Sequence, residues 1–83
     1  MPKKDDVNSL HTSREFIAYA QRHGCEVVRG KGSHVKARND KGFAVIPDHP
    51  GDLPTGTRRA IIKAFMAMGI AILVMLFLLS ALF

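Results

Sequence analysis

From residue 12 onward the polar and apolar positions fall into a helical order. Thr12 and Glu15 stand at the spacing of a capping box, and Phe16, Tyr19, Ala20 and His23 then recur at the i, i+3, i+4 and i+7 steps of one helical face. Gly24 supplies the expected stop. The next run, Cys25 to Arg29, suits a short strand, and Gly30-Lys31-Gly32 reads as a turn whose glycines permit positive φ. A second strand is predicted over Ser33 to Arg38, a turn over Asn39 to Gly42, and a third strand over Phe43 to Pro47, hairpin-paired with the second.

Asp48 to Pro54, DHPGDLP, carries two prolines and a glycine and is expected to be a surface loop. A second helix follows, with Pro54 in its first turn and Asp52 as a cap or dipole partner. Its apolar face is Ala60, Ile61, Ala64, Phe65 and Met68, while Arg58, Arg59 and Lys63 lie nearer the other side. The predicted fold class is α+β, a two-layer α-β-β-β-α unit with a three-stranded antiparallel sheet and both helices on one face. Residues 1–11 are expected to be a flexible lead-in, 12–70 the domain, and 71–83 an apolar C-terminal helical extension.

Eighty-three residues make one domain, near the size at which a single core is marginal. The formal charge of +5 and an isoelectric point near 9.9 favour a polyanionic partner, nucleic acid or an anionic membrane surface. One cysteine, Cys25, excludes an intrachain disulfide and fits a reducing cytoplasm, where it reads as a small strand residue. The N-terminus lacks the apolar run of a signal peptide. By contrast, Ala64 to Phe83 contains no charge. Gly69 to Phe83 as a helix spans roughly 22 Å, short of the ~30 Å hydrocarbon core. That run leaves three uses open: a C-terminal anchor in the inner membrane with the domain on the cytoplasmic side, the seam of a homo-oligomer, or packing across the domain.

Period-two alternation places His34, Lys36 and Arg38 on one face of the second strand, and Ser33, Val35 and Ala37 on the other. With Val35 and Ala37 toward the helices, the His-Lys-Arg face looks into solvent. A titratable group beside fixed cations suits phosphate, with Arg29 and Lys31 adding charge near the turn. The same pattern also describes the wet side of any half-buried sheet. His11 and His23 read as structural or solvated, whereas His49 begins a loop that can approach the surface of the second strand. No HxxxH, HxH or cysteine pair supports a metal site, and no nucleophile elbow or phosphate-binding loop is present. No cofactor is implied.

Taken in order, VVRGKGSHVK at 27–36, VIPDHPG at 45–51 and LPTGTRRAIIKAF at 53–65, closing in Met68-Gly69-Ile70, resemble the HicA toxins of bacterial type II toxin–antitoxin systems. That resemblance covers about Ser13 to Ile70. It implies a fold related to double-stranded RNA-binding domains, a ribosome-independent mRNA interferase activity, and neutralisation by a HicB-like antitoxin that covers the catalytic histidine. By the same resemblance His34 takes the catalytic position, and Gly32 and Ser33 form its flanking turn. His49 is a candidate helper, while Arg29, Lys31, Gly32, Ser33, Lys36 and Arg38 are candidates for RNA contact. Val35 departs from the family, many of whose members carry a second polar residue there, and the apolar tail is a further departure. A non-catalytic RNA-binding module or an inactive relic, and a small membrane-associated protein, are the competing readings.

Overall fold

A computed structural model describes residues 7–30 and 32–71 of the chain. Helix α1 spans Ser13–Arg22 and is followed by strands β1 (Glu26–Arg29), β2 (His34–Asn39) and β3 (Gly42–Pro47), then helix α2 (Thr55–Ala67). The strands form one antiparallel sheet in the order β1-β2-β3. This is the expected α+β architecture, with edges displaced by a residue or so.

Both ends of α1 follow from local chemistry. The Thr12 hydroxyl accepts the Glu15 backbone N–H at 3.2 Å, and the Glu15 carboxylate accepts the N–H groups of Thr12 and His11 at 3.0 Å each. Two donors left over at the helix start are thereby satisfied. Gly24 ends the helix with φ +84, and the Cys25 N–H returns to the Ala20 carbonyl at 2.9 Å. In the β2–β3 hairpin, Asn39 Oδ1 accepts the N–H groups of Lys41 and Gly42, and Asn39 Nδ2 donates to the Met68 carbonyl at 3.0 Å. That one side chain shapes the turn and ties it to the end of α2.

The core lies between the helices and one face of the sheet. Val35, Ala37, Ala44 and Ile46 are buried on that face of β2 and β3, and Ala37, Ala44 and Ile46 meet Phe16, Tyr19 and Ala20 of α1 and Ile61 and Phe65 of α2. Phe65 stacks on Tyr19 with ring centroids 5.6 Å apart and meets Phe16 edge-on at 5.9 Å. Such aromatic pairs add about 0.5–1.5 kcal/mol each beyond their burial.

Four expectations are corrected. The segment before α1 is not a lead-in from residue 7 onward: Val7–Ser9 forms a 3-10 turn, and Val7 (1% exposed) and Leu10 (5%) belong to the core. Arg58 of α2 holds this segment, its Nε donating to the Leu10 carbonyl at 3.0 Å. Asp52 does not cap α2, whose N-cap position is Pro54 and which has no side-chain cap; it forms a bridge with Thr12, while Leu53 N–H donates to the His11 carbonyl. Ala60 is exposed, because Ile61, Phe65 and Met68 centre the buried stripe one position further round. At the other end, Ile70 and Ala71 are buried, and Tyr19 Oη donates to the Ile70 carbonyl, so the core reaches at least to Ala71. The rest of the expected tail, 72–83, lies outside the described residues. Among the described residues no helix is long and apolar enough to cross a membrane.

Candidate functional site

The open face of the sheet is set by register. His34 is opposite Pro47; Lys36 stands between Val28 and Val45; Arg38 stands between Glu26 and Phe43. Directly paired residues project to the same side of an antiparallel sheet. One solvent-facing surface therefore carries His34, Lys36 and Arg38 along its centre. His34, Lys36 and Arg38 are all exposed, while Val35 and Ala37 between them are buried.

Around these polar groups lies apolar surface that strand alternation in β2 alone does not reveal. Val28 (41%), Val45 (44%) and Phe43 (57%) are the large exposed hydrophobic residues of the domain. The Lys36 ammonium sits over the Phe43 ring, 4.8 Å from its centroid. Lys36 reaches diagonally across the strand pair to do this. It has no acidic partner among the described residues, whereas both arginines do. Arg38 Nε donates to Glu26 Oε1 at 2.8 Å, and Arg29 Nη1 donates to Asp48 Oδ2 at 2.9 Å.

The other expected site residues are placed as follows. Arg29 pairs in register with Val35, on the helix side of the sheet, and its guanidinium meets Asp48 beyond the end of β3. It does not share the His34 face. Gly32 adopts φ +70, the left-handed region that favours glycine, and turns the chain into β2. Ser33 lies in that turn rather than in the strand, and its carbonyl accepts the Asp48 N–H. Lys31 lies outside the described residues.

His49 is exposed and lines a cleft of about 450 Å³ with Thr12, Ser13, Arg14, Asp48, Pro50 and Gly51; His34 is not part of that lining. The loop carrying His49 is fixed by a residue the sequence reading did not single out. Ser13, 3% exposed, accepts the His49 N–H on Oγ at 3.0 Å and donates to the Pro47 carbonyl. A serine in the first turn of a helix carries no signal that it will hold a loop thirty-odd residues away.

Among the described residues, no group of three or more histidine, cysteine or carboxylate side chains could hold a metal ion. Cys25 is buried, which pushes its thiol up from the ordinary value. The arrangement that can act on a phosphodiester is thus an exposed imidazole in line with an uncommitted lysine on a flat, partly apolar sheet. A flat surface suits an extended polymer better than a small molecule, which needs concavity.

No curated protein and no solved structure matches the chain. The model of the HicA toxin of bacterial toxin–antitoxin systems matches residues 13–65, from the first residue of α1 through most of α2 and including the whole sheet. That match spans more than half of the 83 residues, and the α-β-β-β-α order is the one the resemblance implied. The chain belongs to the HicA toxin family.

Proposed function

We propose that this chain is the toxin of a type II toxin–antitoxin pair, an endoribonuclease that cleaves mRNA with His34 as general acid/base. Members of the family are in general ribonuclease toxins paired with a HicB-type antitoxin. What supports the activity in this chain is that the exposed His34 shares a sheet face and a strand with Lys36, two residues on. Imidazole has an unperturbed pKa of about 6.5 and can carry protons near neutral pH.

In the proposed reaction His34 takes the proton of a ribose 2′-hydroxyl. The 2′-oxygen bonds to phosphorus, the bond from phosphorus to the 5′-oxygen breaks, and that oxygen accepts a proton from an acid. A 2′,3′-cyclic phosphate and a 5′-hydroxyl result. Lys36 offsets the charge that builds on the non-bridging oxygens, and Arg38 holds an adjoining phosphate. One imidazole cannot give and take in the same instant, so the second transfer falls to His49, to Lys36 or to water. The reaction needs no metal. A HicB-like antitoxin that covers the His34 face would block RNA access, and the setting is the cytoplasm.

The test is incubation of the purified chain with RNA in chelator, followed by mapping of new 5′ ends. Cleavage by the parent chain and a loss of about 10²-fold or more in the His34→Ala variant is the expected pair of results. Equal cleavage by both rules out His34 as the proton carrier. Binding by the parent chain without new ends makes it an RNA-binding module instead.

A further inference from the structure

We propose that Phe43, flanked by Val45, is a stacking platform for an unpaired RNA base and seats the substrate on the sheet near His34. The proposal rests on the reading of the chain as a ribonuclease and adds a positioning residue to it.

Three observations carry it. Phe43 presents a ring that is 57% exposed at a site where its neighbours in the same strand, Ala44 and Ile46, are buried. Burial does not explain this ring. Second, it lies on the His34 face: register places it opposite Arg38, two rows along β2 from His34. At about 3.3 Å per residue and about 5 Å between strands, the backbone positions of Phe43 and His34 are about 14 Å apart. A short run of splayed nucleotides covers that distance. Third, the ring is already engaged by a cation, since the Lys36 ammonium rests 4.8 Å from its centroid. A base can take the place of that ammonium on the ring, and the displaced ammonium is then free to meet the phosphate that lies between that base and His34. Stacking and neutralisation are coupled through Lys36.

The arrangement also selects among nucleic acids. In a duplex the bases are stacked on one another, and only sugar and phosphate reach a flat surface. An unpaired strand offers a π-face to Phe43 and phosphates to Lys36 and Arg38 together. Charge complementarity favours RNA over a second copy of this chain, because a like copy would set the same lysine and arginine against themselves.

The experiment uses the full chain and a short single-stranded RNA carrying 2-aminopurine, with 2′-O-methyl groups throughout to prevent cleavage, and the same strand annealed to its complement. Stacking on Phe43 quenches the aminopurine. Expected for the parent chain is quenching with the single strand only; Phe43→Ala abolishes it and weakens binding about tenfold, and Phe43→Tyr restores both. Phe43 is mostly exposed, so neither variant threatens the fold. Unchanged quenching and affinity in Phe43→Ala overturns the platform while leaving His34 cleavage standing. If the parent chain fails to cut unmodified RNA yet quenches as expected, the ribonuclease reading fails and the platform survives. Loss of antitoxin binding or of self-association in Phe43→Ala, with RNA binding intact, makes the face a protein interface and overturns the proposal.

Discussion

Arg38 and Glu26 face each other across β1 and β2, with Nε 2.8 Å from Oε1, and both side chains are more than half exposed. The last cation of the HVKAR strand is therefore partly neutralised before any phosphate arrives. A pair this exposed contributes about 0–1 kcal/mol to stability and is open to competition by a polyanion. Glu26→Gln is expected to leave the unfolding midpoint nearly unchanged, tighten RNA binding several-fold and steepen its salt dependence by about one phosphate equivalent. Binding titrations at several salt concentrations check it. An unchanged slope means Arg38 does not reach the backbone.

Ser13 ties the loop after β3 to the start of α1. Replacing it with alanine removes two part-buried hydrogen bonds, one to the Pro47 carbonyl and one from the His49 N–H. A lost hydrogen bond of this kind costs about 0.5–1.5 kcal/mol. Ser13→Ala should lower the urea midpoint accordingly and speed amide exchange at His49 and its neighbours. If stability falls but exchange in the loop stays slow, water has taken the place of the hydroxyl.

The capping box predicts a pH dependence. Hydrogen bonds hold the Glu15 carboxylate below its ordinary 4.5, the backbone N–H of His11 most of all and those of Thr12 after it, with partial burial opposing them. The folded chain thus binds this proton less readily than the unfolded one. The resulting stability is complete above the unfolded value and is lost as pH falls through the lowered folded value. Glu15→Gln should be less stable near neutrality and lose less on acidification from about pH 5 to 3. Thr12→Ala should cost about 1 kcal/mol. Parallel acid limbs for the parent chain and Glu15→Gln would refute the assignment.

What could be read in advance, and what could not, follows from the range of the interaction. The α1 boundaries rest on Thr12, Glu15 and Gly24, neighbours in sequence, and the solvent face of β2 on strict alternation, so both were legible. Phe43 and Val45 were not placed, because FAVIP is apolar throughout and only pairing with Arg38 and Lys36 fixes which members face outward. Arg29 follows the same logic: CEVVR does not alternate, and its register with Val35 puts it on the far side from His34. Val7 and Leu10 sit among polar neighbours with no period, and their burial depends on a core assembled from residues far along the chain. His34 itself drew its weight from the ordered family landmarks, which local patterning could not supply.

The contacts made by Met68 to Ala71 yield the last prediction. Tyr19 donates to the Ile70 carbonyl from inside the core, and Met68, Ile70 and Ala71 are at most 5% exposed. Gly69, at φ +77, turns the chain so that Ile70 N–H reaches the Phe65 carbonyl at 3.0 Å. A chain ended at Ala71 retains every one of these contacts, whereas one ended at Met68 uncovers the Tyr19 hydroxyl and strips two buried side chains. Removing a buried aliphatic residue costs about 2–5 kcal/mol, a large share of what so small a domain holds. The chain ended at Ala71 should therefore melt cooperatively and cleave RNA, and the one ended at Met68 should lose cooperative melting. Fractionating cells that express the full chain or the chain ended at Ala71 then separates the role of residues 72–83 from that of the fold. If only the full chain sediments with membranes, the apolar run is an anchor; if both stay in the soluble fraction, it is not. Equal stability of the two shortened chains would place the domain boundary before Ile70.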